Sequence, residues 1–181
     1  MNEGLIPRRY AKALYKVAVE RKCDDTVYEL MQKLSASFTA SPQLRALVAN
    51  PFVDDSDKTA ALKAAAGLNG SNNTFDDFLK LLLQNRRIDM CDAIANAYIS
   101  LYRSENNIHR VEVVSAAPLA PSVESRIKSI VEEHLHGATM EMSTRIDPQL
   151  IGGFIVKVDN ERLDASLRNR LKQIRLNLLN N

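Results

Sequence analysis

Asp147 to Leu171 reads DPQLIGGFIVKVDNERLDASLRNRL, and how this stretch divides into turn, strand and helix sets the C-terminal architecture. Asp147-Pro148 is a turn signal, because proline fixes φ and pushes the residue before it out of the helical region. Leu150 to Val158 is an apolar, branched run long enough for one strand. Gly152 and Gly153 lie inside that run and bring no side chain, which permits close approach of another backbone or helix. Asp159-Asn160 turns the chain. Asp164 then opens a final helix, with Leu167, Leu171, Ile174 and Leu178 at helical spacing. No side chain here is placed for chemistry; the segment reads as architecture.

Upstream, the period of the apolar residues stays at 2 or switches cleanly to 3.6. Met140, Met142 and Ile146 alternate with Glu141, Ser143 and Arg145, which predicts a strand. Before it, Val123, Ile127, Ile130, Val131 and Leu135 mark one side of a helix that follows Pro118 and Pro121. His109 to Ala116 is a further strand, with Val111 and Val113 inward and Arg110 and Glu112 outward. Glu105-Asn106-Asn107 is the boundary, since helical periodicity rules everything before it. The prediction is an α + α/β chain. Residues 1–105 form a six-helix bundle, and residues 106–181 form a small β-α-β-β-α domain with a three-stranded mixed sheet.

Two of the six N-terminal helices carry more apolar surface than one core contact uses. From Leu5 to Glu20, the residues Tyr10, Ala11, Ala13, Leu14, Tyr15, Val17, Ala18 and Val19 leave only a thin polar stripe at Lys12, Lys16 and Glu20. A surface helix normally buries an arc of about 100° or a little more. The fifth helix, Thr74 to about Asn85, repeats the excess through Phe75, Phe78, Leu79, Leu81, Leu82 and Leu83. A bundle of this size has little room for fully enclosed helices. Part of the surplus is therefore expected to form an exposed apolar groove, the kind of surface that binds a partner. Of the other helices, the second is capped by Asp24 or Asp25. The third starts at Ser41-Pro42 and stops at Asn50-Pro51. The fourth runs from the aspartates at 54, 55 and 57 to Gly67, and the sixth from about Asp89 to Ser104.

Composition sets the class. The chain has 181 residues, 45% hydrophobic and 25% charged, with a formal net charge of +2, which marks a folded protein without a strong global field. Cys23 and Cys91 are expected to be reduced, because nothing else suggests secretion. MNEGLIPRRY has no apolar signal core and no window approaches 18 apolar residues, so a cytoplasmic protein that meets membranes only through partners is expected. Gly152-Gly153 belongs to neither a dinucleotide nor a Walker loop. His109, His134 and His136 do not share a face suited to a metal, and no nucleophile elbow occurs. No catalytic residue, metal or cofactor is predicted. The last helix places Arg168, Lys172 and Arg175 on one face, with Arg170 elsewhere. That run reads as a solvated face, or as a contact for an acidic helix or nucleic acid, although no aromatic stacking pair lies on the strands.

Three ordered stretches carry a family likeness: RRYAKALYKVA near the start, SAAPL at Ser115 to Leu119, and the acidic residue with Leu-Ile-Gly-Gly-Phe followed by Leu-Asp-Ala-Ser. Together they resemble the delta subunit of F-type ATP synthases, the oligomycin-sensitivity-conferring protein family. The turn after Val158 lacks the glycine usual in that family and has Asp159-Asn160-Glu161 instead; asparagine tolerates the left-handed φ such a turn needs. The resemblance implies a non-catalytic stator subunit on the cytoplasmic face of a bacterial inner membrane. Its bundle would take the N-terminal helix of an alpha subunit between the first and fifth helices, and its C-terminal domain would engage the b subunits of the peripheral stalk. The candidate groove residues are Tyr10, Ala13, Leu14, Val17, Phe75, Phe78, Leu79 and Leu82, which periodicity alone does not divide between groove and core. The rival reading is a nucleic-acid-binding adaptor that uses the basic final helix.

Overall fold

The computed structural model describes residues 4–68, 70, 72–135, 138–150, 152–159 and 161–164. The chain folds as two compact units, Met1–Glu105 and Asn106–Asn181.

The first unit is helical: α1 (Leu5–Glu20), α2 (Asp24–Ala40), α3 (Pro42–Ala49), α4 (Asp55–Ala65), α5 (Asn73–Gln84) and α6 (Cys91–Glu105), with a 3-10 turn at Ile88–Met90 leading into α6. Local chemistry explains the ends. The Asn72 side chain accepts the Phe75 N–H at 3.0 Å and caps α5, and Pro42 occupies the first turn of α3, where no N–H partner is lost. Asp24 and Asp25 lie in the first turn of α2, and its N-cap position is Cys23. The aspartates thus favour the helix by their charge near its positive end, not by the side-chain cap the sequence suggests. After α4, Gly67 at φ 68 donates to Ala64 O, and Leu68 donates to Lys63 O, closing a Schellman motif. Lys22 and Arg86 adopt the same left-handed conformation after α1 and α5, at φ 53 each, without being glycine.

The core of this unit forms where α6 packs on α1 and α2. Ile94, Ala95 and Tyr98 of α6 meet a floor that includes Ala11, Ala18, Val27, Met31 and Leu34, all essentially free of solvent. Tyr28 and Tyr102 stack with ring centroids 4.1 Å apart, and the Arg103 Nε–H donates to the Tyr28 hydroxyl at 2.9 Å. Burial raises the Tyr98 and Tyr102 hydroxyls above their ordinary range, so both remain protonated donors.

The second unit contains β1 (Ile108–Ser115), α7 (Pro121–His134), β2 (Thr139–Ile146), β3 (Phe154–Val158) and β4 (Glu161–Asp164). The sheet order is β2-β1-β3-β4. β1 and β2 are parallel and joined by α7, whereas β3 runs antiparallel to both β1 and β4. The three strands read from the sequence form this mixed sheet, and β4 adds a short edge beyond them. Val111 and Val113 of β1 and Val156 of β3 face Ile127 and Val131 of α7, with Met140, Met142 and Phe154 packed round them. Val123 and Ile130, read as part of the buried stripe of α7, are instead exposed. On the opposite face Glu112 accepts from Lys157 Nζ at 2.8 Å and from Arg145 Nε at 3.2 Å, tying three strands together.

The stretch from Asp147 departs from its sequence reading in three places. Asp147 does make the turn: its side chain accepts the Gln149 N–H at 3.0 Å, and its own N–H donates to Ser115 O at 2.8 Å. The strand, however, starts only at Phe154, because Gly152 and Gly153 sit at φ 87 and 80, where extended pairing is impossible. They form the bend, not a close-packing surface inside the strand. The left-handed residue of the next turn is Asp159, at φ 49. Its carboxylate accepts the Arg110 N–H at 3.0 Å and a His109 Nδ1–H at 2.7 Å, which holds that conformation in place. Glu161–Asp164, read only as the approach to a helix, forms β4, with Asp164 opposite Ile155. The remainder of that helix, from Leu167 through Leu178, lies outside the described residues.

Candidate partner-binding groove between the first and fifth helices

Helix α1 buries one stripe, Pro7, Ala11, Leu14 and Ala18, which continues the i, i+4, i+7 spacing of a single helical face. About a quarter turn round the helix, Tyr10, Ala13, Val17 and Arg21 form a second row. Helix α5 buries Thr74, Phe75, Phe78, Leu79 and Leu82, and Thr74, Asp77 and Leu81 form the row on its groove side. The two second rows meet along an open groove of about 190 Å³, lined by Tyr10, Ala13, Leu14, Val17, Arg21, Thr74, Asp77, Phe78 and Leu81. Helix α1 lies close along α6 and touches α5 much more sparingly, and the groove is what that separation leaves.

Of the eight residues predicted from sequence, five line the groove: Tyr10, Ala13, Leu14, Val17 and Phe78. Leu14 and Phe78 form its floor, being almost wholly buried, whereas Val17 keeps 37% of its surface in water. Phe75, Leu79 and Leu82 are placed in the core, with no exposed surface. Helix α5 is apolar nearly all round, so spacing alone could not show that the groove lies a quarter turn from these three. The residues missed are Arg21, Thr74, Asp77 and Leu81. Leu81 is 42% exposed, and the signal that could have found it is the i, i+3, i+7 row Thr74, Asp77, Leu81, obscured by its polar members. Arg21 continues the α1 row four positions after Val17.

One end of the groove is polar. The Arg21 guanidinium donates to Asp77 Oδ2 at 3.0 Å and to Thr74 Oγ1 at 3.2 Å, and Thr74 Oγ1 shares a further hydrogen bond of 3.4 Å with Cys23 Sγ. This clasp ties the C-terminal end of α1 to the first turns of α5 and closes the apolar trough with a charged rim. The remaining lining is aliphatic and aromatic. Such a surface takes the apolar side chains of an amphipathic segment and orients their polar neighbours at its edge.

Other candidate chemistry stays apart. Among the described residues no three His, Cys, Asp or Glu side chains cluster as metal ligands, and no helix is long and apolar enough to cross a membrane. Cys91 is fully buried, and burial followed by the nearby Asp92 charge pushes its thiol up to about 12. His109 is engaged with Asp159; His134 lies 3.7 Å from Glu161, and His136 is outside the described residues. The basic set Arg168, Arg170, Lys172 and Arg175 is also outside them.

The fold is thus a helical unit with an apolar interhelical groove, followed by a four-stranded α/β unit. The family model described as ATP synthase delta (OSCP) subunit matches residues 6–178. ATP synthase subunit delta of Bacteroides thetaiotaomicron is 39% identical over 176 residues, covering 97% of this chain and 94% of that protein. The same subunit of Phocaeicola vulgatus is 38% identical over 172 residues, 95% and 92% of the two chains; that of Synechocystis is 31% identical over 173 residues, 96% and 93%. A chain of the Toxoplasma gondii mitochondrial ATP synthase hexamer shares the fold, with a TM-score of 0.72 at 21% identity over 96% of this chain and 97% of that one. The chain belongs to the ATP synthase delta (OSCP) subunit family. That family is a non-catalytic structural subunit and a component of the stator.

Proposed function

We propose that this chain holds the catalytic head of an F-type ATP synthase to its peripheral stalk and resists the torque of the rotor. Residues 1–105 act as one six-helix bundle that binds the head, and residues 106–181 bind the b subunits of the stalk. The α1/α5 groove receives the N-terminal amphipathic helix of an alpha subunit. The observation that carries this reading is the groove itself, an apolar trough with Val17 and Leu81 open to solvent on the two helices whose sequences hold surplus apolar residues. A helix laid in such a trough engages through i, i+3, i+4 anchors, giving a specific contact that dissociates slowly. Torque resistance needs that property, because a stator joint must stay closed over many rotor cycles. The site of action is the cytoplasmic face of the membrane, reached through partners. Nucleic acid is not among the proposed partners, and family membership does not favour that rival.

A tagged copy of the full chain, incubated with native membranes stripped of their own delta subunit, should recover alpha and b subunits together. The Val17→Asp variant should lose the alpha subunit and keep b. Recovery of neither subunit by the unaltered chain, or recovery of nucleic acid that falls steeply with salt, would remove the proposal.

A further inference from the structure

The apolar lining of the α1/α5 groove stops abruptly at one end. Along α1 it runs from Tyr10 to Val17 and then meets Arg21; along α5, which begins at that end, Leu81 and Phe78 give way to Asp77 and Thr74. At 1.5 Å per residue the stretch from Tyr10 to Val17 covers about 10 Å, or two turns of helix. Past Val17 the lining is a bonded pair. A single nitrogen, Arg21 Nη1, makes both bonds of the clasp, to Asp77 Oδ2 at 3.0 Å and to Thr74 Oγ1 at 3.2 Å. Among the described residues, Nε and Nη2 of Arg21 and Oδ1 of Asp77 have no protein partner, and the two side chains keep 46% and 55% of their surface in water. No other charged side chain lines the groove. Arg9, Lys16 and Glu20 of α1 and Lys80 of α5 are exposed, but they stand outside the lining.

We propose that Arg21 and Asp77 set the register of the docked helix: its apolar anchors end over Val17, and one turn further on it meets the clasp with an uncharged hydrogen-bonding side chain, a serine, threonine, asparagine or glutamine. The inference rests on the α1/α5 groove being the seat of an amphipathic helix of the catalytic head. An apolar side chain laid over the clasp strips water from the free N–H groups and the free carboxylate oxygen without replacing their hydrogen bonds. A carboxylate there shares one guanidinium with Asp77, and an ammonium shares one carboxylate with Arg21. Either leaves an unbalanced charge beneath the helix. A hydroxyl or an amide both accepts and donates, so one group answers Arg21 and Asp77 together. Uncovered, Arg21 and Asp77 form an ordinary surface ion pair that contributes little to folding. Under a docked helix they lose their water, and the balance of the two charges then acts on binding.

The test is a double-mutant cycle on the full chain with Arg21→Gln and Asp77→Asn, read by calorimetric titration with the N-terminal peptide of an alpha subunit and by thermal melts. Each single change leaves one charge unanswered beneath the helix and should weaken binding at least about fivefold. The double change leaves none and should bind within about threefold of the unaltered chain. All three variants should melt within about 2 °C of it, because the pair is half exposed in the free protein. A second arm varies the peptide at the residue one turn beyond the anchor that contacts Val17. Glutamine there should bind at least about fivefold tighter than leucine, glutamate or lysine. Single variants that bind like the unaltered chain overturn the proposal, as does a double variant weakened by the product of the two single losses. So does a leucine peptide that binds as tightly as the glutamine one. An unaltered chain that binds no peptide at all removes the groove reading itself, and this inference with it.

Discussion

Replacing Val17 by aspartate separates binding from folding more cleanly than any other change in the α1/α5 groove. The floor residues Leu14 and Phe78 are about 95% buried, so a charge there unfolds the helices and reports nothing about a partner. Val17 keeps 37% of its surface in water, and a carboxylate at that position turns outward in the free protein at a cost below about 0.5 kcal/mol. When a helix covers the groove the balance changes. Full burial of a valine is worth roughly 1.5–3 kcal/mol, so the remaining third contributes about 0.5–1 kcal/mol on binding. A carboxylate trapped beside Asp77, with Arg21 already held by Asp77 and Thr74, adds at least about 2 kcal/mol more. Together these predict a loss of about 3 kcal/mol, or more than a hundredfold in affinity. Val17→Ala should lose only about two- to fivefold. The assay is calorimetric titration of the full chain with the N-terminal peptide of an alpha subunit, with thermal melts run alongside. If the aspartate variant melts with the unaltered chain and still binds with undiminished affinity, no helix covers Val17.

Three further outcomes follow from the geometry. Glu112 is held below the usual carboxylate range, first by the hydrogen bond from Lys157, against the opposing effect of burial, with help from the Lys157, Arg145 and Arg110 charges. Its ion pairs therefore stabilise the sheet above an unfolded pKa of about 4.3 and lose that contribution as pH falls through the lower folded value. Glu112→Gln should cost about 1 kcal/mol at pH 7 and nothing at a pH where the wild-type carboxyl is protonated, as read by urea unfolding at both. Gly67→Ala forces a side chain into φ 68 and brings its Cβ to 3.3 Å from Lys33 Cδ; a loss of about 1–2 kcal/mol should lower the melting temperature by several degrees. Cys91, fully buried and raised to about 12, should resist iodoacetamide at pH 8 until the chain unfolds, whereas the half-buried Cys23 should react in the native protein.

Sequence periodicity carries far where one face of an element is wet. Helix α1 falls on the residues its pattern predicts, and Val111, Val113 and Met142 share the buried face of the sheet as their alternation requires. It fails where apolar residues surround the axis. In α5 the same leucine-rich sequence supplies both core and groove, and only the neighbouring helices decide that Leu82 points inward and Leu81 outward. Backbone exceptions are equally hidden. Nothing in the composition near Lys22 or Arg86 announces a left-handed residue, because a Schellman hydrogen-bond pair there outweighs the missing glycine. Conversely, Gly152 and Gly153 sit in a run that looks extended, and their permissive φ converts the start of the run into a bend.

That an amphipathic helix of the catalytic head seats in the α1/α5 groove can be read amide by amide. The measurement is chemical-shift mapping of the full chain, with the alpha-subunit N-terminal peptide added to saturation. The largest changes should fall at Ala13, Val17, Asp77 and Leu81, with α3 and α4 essentially still. Saturable binding that leaves those four amides unmoved and shifts another surface would place the peptide elsewhere and leave the groove without its occupant.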